Sequence, residues 1–197
     1  MTFKNFYQER ATWRKPKEEN ARLKKCAQLA NISVEAVILD IGCRDGLLKN
    51  HLNYPIDYYG IDIVDKFKGE NISIQDITNG TDFQDNYFDY VFCIDTLEHL
   101  RNPFFVLKEI HRILKPEGVL LLSVPNPYHF KEILWNVFKI KDKQGHIFSW
   151  TPQTLEKLGE FCGYKLLDKK GTYLIPGISC DNMMTRSFIY KFQRMTG

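Results

Sequence analysis

The sequence predicts an α/β sandwich, a mainly parallel sheet with helices on both faces. Strand-like and helix-like segments alternate along the chain. The strand-like ones, "AVILD" at 36–40 above all, are continuous apolar runs, as suits strands buried on both faces. The first of them runs directly into an acid and a glycine turn, "ILDIGCRDG" at 38–46.

The elements follow in order. The N-terminal arm, residues 1–33, holds "KPKEENARLKKCAQLA" (15–30), rich in helix formers, with Pro16 where a first helical turn tolerates it. Ala36–Asp40 is the first strand, and "DGLLKNHL" (45–52) after Gly42 reads as a helix. Asp57–Ile63 is a second strand, Ile72–Ile77 a shorter third, and the fourth is centred on Tyr90–Ile94. In 102–114, Phe104, Leu107, Ile110, Ile113 and Leu114 recur at helical spacing, with Asn102 and Pro103 supplying the cap and first turn. A turn at Pro116–Gly118 leads to a fifth strand, Val119–Val124. Residues 126–150 interrupt the alternation and read as an inserted cap. Thr151, Pro152 and Gly163 then bound a helix as N-cap, first position and stop. "YKLLDKKGTYLI" (164–175) and "SFIYKFQRM" (187–195) are closing strands. The whole chain, 1–197, is one domain without internal repeats.

The composition is that of a soluble globular chain, 44% apolar and 26% charged, which excludes global disorder. A net charge of +3 does not suggest a dedicated nucleic-acid binder. Eight of the basic residues fall within 1–25 against three acids there, a solvated helix face or a docking surface for an anionic substrate or a membrane. The five cysteines form no C-x-x-C pair, so buried thiols are expected rather than a metal site or a disulfide framework. No apolar run is long enough to span a bilayer, and the N-terminus carries no signal segment; a reducing, cytoplasmic setting is expected.

In open α/β sheets, ligands bind beyond the carboxyl ends of the strands. Here the first strand ends at Asp40 before Gly42 and Gly46, the second at Asp62, and the third near Asp76 and Ile77. Gly42 permits an unusual backbone angle and close ligand approach, and the helix read after it would offer free N–H groups to an anion. Asp62 is placed to accept both hydroxyls of a ribose. Acids at three successive strand ends behind a glycine loop make a nucleoside-shaped site. A dinucleotide motif fails, because Arg44 and Leu47 stand where G-x-G-x-x-G needs glycines, and no P-loop is present.

The pattern resembles the class I S-adenosylmethionine-dependent methyltransferases, in the small-molecule group that includes ubiquinone-biosynthesis and sugar enzymes. "VILDIGCRDG", "YYGIDI", "IQDI", "FDYVFCIDTLEHL" and "LKEIHRILKPEGVLLLSVPNP" carry the resemblance, closest over Val37–Pro127. It implies a Rossmann-like seven-stranded sheet of order 3-2-1-4-5-7-6, mostly parallel with the last strand antiparallel. It also implies S-adenosyl-L-methionine as cofactor and S-adenosyl-L-homocysteine as product. Asp40 and Gly42 would shape the floor under the methionine part, and Cys43 and Gly46 of the same loop would also be cofactor-binding. Asp62 would bind the ribose, with Ile63 near the adenine; Asp76 would face its amino group, with Ile77 flanking the ring. Cys93 would end strand four close to the cofactor. Arg44 departs from the family's usual glycine: it either points to solvent or helps hold the cofactor's carboxylate.

Methyl transfer is an in-line displacement that depends on alignment in a site closed to water. A base is needed only for a poorly ionised acceptor. "DTLEHL" sets Asp95, Glu98 and His99 beside the donor as candidate catalytic groups, with Glu98 and His99 alternatively caps or braces of the loop. His146, in "GHIFSW", ends the inserted cap and is a second candidate base, with His129 weaker and His111 structural. Phe130–Lys143 is too apolar for a simple solvated helix: it packs on the core, or is a lid whose apolar face meets substrate or membrane, with Trp13, Tyr7 and Phe6 completing it. The expected partner is a small-molecule acceptor, with peripheral membrane contact open and the oligomeric state undetermined. Nucleic acid is not expected, since "CIDT" stands where amino-methylating enzymes often carry an N-P-P-Y-type tetrad. A methyltransferase-like module that binds without catalysis is the alternative.

Overall fold

The computed structural model describes residues 2–11, 16–52, 55–141, 144–175 and 177–196. The strands are β1 (Val37–Ile41), β2 (Asp57–Asp62), β3 (Ile72–Ile74), β4 (Phe88–Ile94), β5 (Leu114–Pro125), β6 (Tyr164–Gly171), β7 (Tyr173–Ile175), β8 (Ile178–Ser179) and β9 (Ser187–Arg194). The helices are α1 (Phe3–Glu9), α2 (Pro16–Ala30), α3 (Pro103–Ile113), α4 (Phe130–Val137) and α5 (Pro152–Phe161). Seven strands form one sheet in the order β3-β2-β1-β4-β5-β9-β6, with β9 antiparallel to both neighbours. This is the expected Rossmann-like order, β9 being the seventh strand.

Alternation along each strand divides the core. Ile38, Phe92, Leu121 and Ile189 face α2, which presents Leu23, Cys26 and Ala30 at helical spacing. Leu39, Ile41, Val91, Leu120, Leu122 and Tyr190 face the other way, toward α3 and α5. Asn102 and Thr151 cap α3 and α5 through Phe105 N and Thr154 N, and Gly163 ends the α5 turn at φ +90°. On α3, Phe104 is exposed and Val106 takes the core position expected of it.

Three expectations are corrected. "DGLLKNHL" forms only a 3₁₀ helix, Leu47–His51. Gly46 opens it in the left-handed region without a side-chain cap, and Pro55 disfavours helix in the residue before it, leaving room for about two turns at most. The α-helix N-terminus expected directly after the glycine turn is therefore not formed. The "YKLLDKKGTYLI" strand breaks at Thr172, and β7 pairs with β8 in a separate hairpin. α1 was not foreseen, because its short segment is too mixed in character to show a helical stripe.

Candidate active site

The floor is the turn after β1. Gly42 N and Cys43 N both donate to the Ile61 carbonyl, at 2.8 and 3.2 Å, folding the turn back against β2. Gly42 sits at φ +71°, and a Cβ there would lie 2.4 Å from Thr96 Oγ1 of the loop after β4. Glycine is required for both reasons. The Cys43 thiol fills the space over Gly60 in β2. Gly46 closes the turn by donating to the Cys43 carbonyl, at 2.9 Å.

Asp62 is buried at the end of β2. Its Oδ2 accepts from Arg44 N and its Oδ1 from Val64 N, both at 2.8 Å. Burial raises its carboxyl above the usual range, while these donors and the Arg44 charge oppose the rise. Asp76 caps a short 3₁₀ turn by accepting from Thr78 N at 3.0 Å, and its other oxygen lies 3.7 Å from Arg101. Asp62 and Asp76 line one cavity of about 270 Å³, whose apolar walls include Ile63, Phe67, Ile77 and Leu100. Phe3, Tyr7, Arg10 and Ala11, from α1 and the residues after it, also line it.

A second cavity of about 850 Å³ lies beyond, lined by Asp40, Cys43, Glu98, His146, Trp135 and Arg186 among others. The two cavities share Gly42, Arg44, Asp95, His99 and Gln144. Asp40 accepts from Tyr58 Oη at 2.8 Å, and burial pushes its carboxyl up to about 7. Both Asp95 oxygens are engaged: Oδ1 accepts from Ser123 Oγ at 2.5 Å, and Oδ2 pairs with Arg22 at 2.9 Å. That makes Asp95 a strut holding Arg22 in the wall.

His99 Nδ1 lies 3.1 Å from Tyr7 Oη and 3.2 Å from the Gly145 carbonyl, while Tyr7 Oη donates to the same carbonyl at 3.1 Å. A carbonyl can only accept, so an Nδ1–H would donate toward it, with Nε2 on the side of Glu98. Nε2 stands 4.0 Å from Glu98 Oε1. The Glu98 carbonyl receives Ile147 N and Phe148 N, at 2.8 and 3.1 Å, which brings the His146 ring to 4.9 Å from that of His99. Glu98 is 1% exposed and neither carboxylate oxygen has a hydrogen-bond partner among the described residues. Burial, reinforced by Asp95, drives its carboxyl well above the usual range.

The expected residues gather, with two exceptions. Cys93, in β4, is fully buried in the core, and Gly46 shapes the turn; neither lines either of these two cavities. Arg44 does not simply point to solvent: its Nη2 donates to the Ala11 carbonyl at 2.9 Å, and its guanidinium stands 5.4 Å from the Phe67 ring centre. Tyr7 and Phe6 meet the site as expected of a lid, Phe6 packing on Gly145, while Trp13 lies outside the described residues. Helix α4 ends at Val137, with Lys143 beyond the described residues, and none of its residues is buried. Arg22, Tyr58 and Arg186 were not anticipated, because their partners are far away in sequence. No metal cluster was expected either, yet Glu98, His99 and His146 bring three possible ligand atoms within 4.8 Å of one another.

Known proteins resemble this chain in sequence and in fold. The curated relatives include an uncharacterized protein of Methanocaldococcus jannaschii, 33% identical over 147 residues that cover 72% of this chain and 60% of that protein. A ubiquinone biosynthesis O-methyltransferase of Coxiella burnetii is 29% identical over 71% of this chain and 68% of its own length. A SAM-dependent methyltransferase of Thermotoga maritima superposes with a TM-score of 0.74, covering 98% of both chains at 18% identity. Fold and relatives together define a class I S-adenosylmethionine-dependent methyltransferase. The chain belongs to the family described as "Methyltransferase domain", whose model matches residues 8–169.

Family and fold imply S-adenosylmethionine as cofactor, and the smaller cavity suits it. Two carboxylates can meet ribose hydroxyls and an amino group, and apolar side chains flank a slot for a flat ring.

Proposed function

We propose that this methyltransferase acts on a small-molecule acceptor held in the larger cavity, and that Glu98, His99 and His146 form its reacting face. The observation that carries this reading is that the two cavities meet at Gly42, Asp95 and His99. A donor bound against Asp62 and an acceptor bound against His146 would share that junction.

Bound S-adenosylmethionine supplies an electrophilic methyl group on a sulfonium. The protein's part is positional. Asp62 and Asp76 hold the nucleoside end, and Gly42 lets the backbone approach the methionine end. Arg44 either adds a charge for the carboxylate or only fastens the Ala11 segment over the cavity. Tyr7 and the Gly145 carbonyl orient His99, whose ring would take the proton that an acceptor hydroxyl or amine gives up as it is methylated. The apolar roof excludes water from the in-line path.

The O-methyltransferase among the relatives supports a small-molecule acceptor. The test incubates the protein and methyl-labelled S-adenosylmethionine with a small-molecule extract. Label should appear in a compound of low molecular mass, and His99→Ala should abolish it while binding of S-adenosylhomocysteine persists. Binding without transfer to any acceptor would favour a non-catalytic module, and label in RNA or protein would overturn the acceptor class.

A further inference from the structure

We propose that the outer face of α4 and the turn after it is a docking surface for an anionic lipid bilayer. On α4, Ile133 and Leu134 are 46% and 47% exposed, and one turn later Val137 and Phe138 are 66% and 70% exposed. Their spacing of i, i+1, i+4 and i+5 makes a single stripe. Ile140, just beyond, is 53% exposed. Contiguous apolar surface of this kind marks a contact site rather than ordinary surface composition.

The helix is fastened by its opposite face, so the stripe is left outward. Glu132 pairs with Arg186 beside β9, and the same guanidinium stands 6.0 Å from the Trp135 ring centre. His129 caps the helix at Lys131 N and reaches the Leu174 carbonyl, 3.0 Å away. The loop before Arg186, held by Asn126 through the Met183 and Thr185 carbonyls at 2.8 Å each, exposes Met183 and Met184.

Charge selects the occupant. Over residues 130–141 the cations are Lys131, Lys139 and Lys141, and the one acid, Glu132, is committed to Arg186. The cores of protein–protein interfaces are depleted in lysine, whereas apolar side chains fringed by lysines suit the boundary between anionic headgroups and acyl chains. The turn is tight: Lys139 adopts φ +52° and Ile140 N donates to the Trp135 carbonyl at 2.8 Å. It carries Ile140 and Lys141 back to the rim of the larger cavity. Docking here would set that cavity's mouth at the lipid surface.

Co-sedimentation of the whole protein with vesicles tests this, with S-adenosylhomocysteine binding measured in parallel as an independent check on fold and donor site. The protein should bind phosphatidylglycerol-containing vesicles, lose binding as salt is raised, and bind pure phosphatidylcholine weakly. Val137→Asp with Phe138→Asp should cut binding about tenfold or more with cofactor affinity unchanged. Lys139→Glu, a milder change, should weaken binding to the anionic vesicles alone. No binding to anionic vesicles, or binding that these variants leave intact, would overturn the proposal. So would a wild-type dimer that Val137→Asp with Phe138→Asp converts to a monomer, which would assign the face to a second copy of the chain.

Discussion

Tyr7 Oη lies 3.1 Å from His99 Nδ1, joining α1 to the loop after β4 across 92 positions of sequence. The same hydroxyl donates to the Gly145 carbonyl, so the N-terminal helix, the strand-four loop and the end of the inserted cap meet at one point. Tyr7 thus lines the smaller cavity and contacts His99, the base proposed above.

Tyr7→Phe keeps the ring and removes that hydroxyl. The loss of a partly buried hydrogen bond should cost about 1 kcal/mol of stability. Methyl transfer should slow by about tenfold as His99 loses its orientation. S-adenosylhomocysteine affinity should change less than about threefold. Calorimetric titration and initial rates check this; affinity falling in step with rate would reduce Tyr7 to a roof residue.

Arg44 holds a left-handed backbone, φ +54°, a conformation that favours glycine. Arg44→Ala and Arg44→Gly both release the Ala11 carbonyl, but only glycine relieves the backbone. The glycine variant should be more stable than the alanine variant by about 1 kcal/mol in urea unfolding. Equal stabilities would mean that the turn relaxes once the side chain is gone.

Asp40 makes stability depend on pH. Its carboxyl rises from 3.8 to about 7 on burial. An acid with a raised folded value contributes its full share of stability below the unfolded value and loses it as pH climbs to the folded one. The cofactor-free protein should therefore lose stability between about pH 4 and 7, by an amount on the order of 2–4 kcal/mol. Asp40→Asn, which can still accept from Tyr58, should flatten that slope. Parallel unfolding curves of wild type and variant across this range would contradict it.

The sheet was legible because its signals are local. Continuous apolar runs, the Asn102–Pro103 and Thr151–Pro152 starts and the acids at strand ends each reside in a few adjacent residues. That Gly42, Asp62 and Asp76 come together in one cavity was readable for the same reason. Whether Glu98 is a brace or a candidate group was open in the sequence, because the burial of its carboxylate beside His99 and the segment of His146 depends on residues some fifty positions apart. Cys93 sits one residue before the end of β4, and the strand's alternation turns it into the core. The Leu47–His51 segment misled because its composition is helical while its length, between Gly46 and Pro55, is not.

The most direct measurement is a titration of S-adenosylmethionine into wild type, Asp62→Ala and His146→Ala, with methyl transfer followed in the same samples. A donor cavity on the Asp62 side and an acceptor cavity on the His146 side predict one binding site in the wild type. Affinity should be lost by about a hundredfold in Asp62→Ala, as expected when charge-assisted hydrogen bonds are removed from a buried site. His146→Ala should bind as the wild type does and transfer poorly. Unchanged binding in Asp62→Ala, or binding lost in His146→Ala, would contradict the division of the site into these two halves.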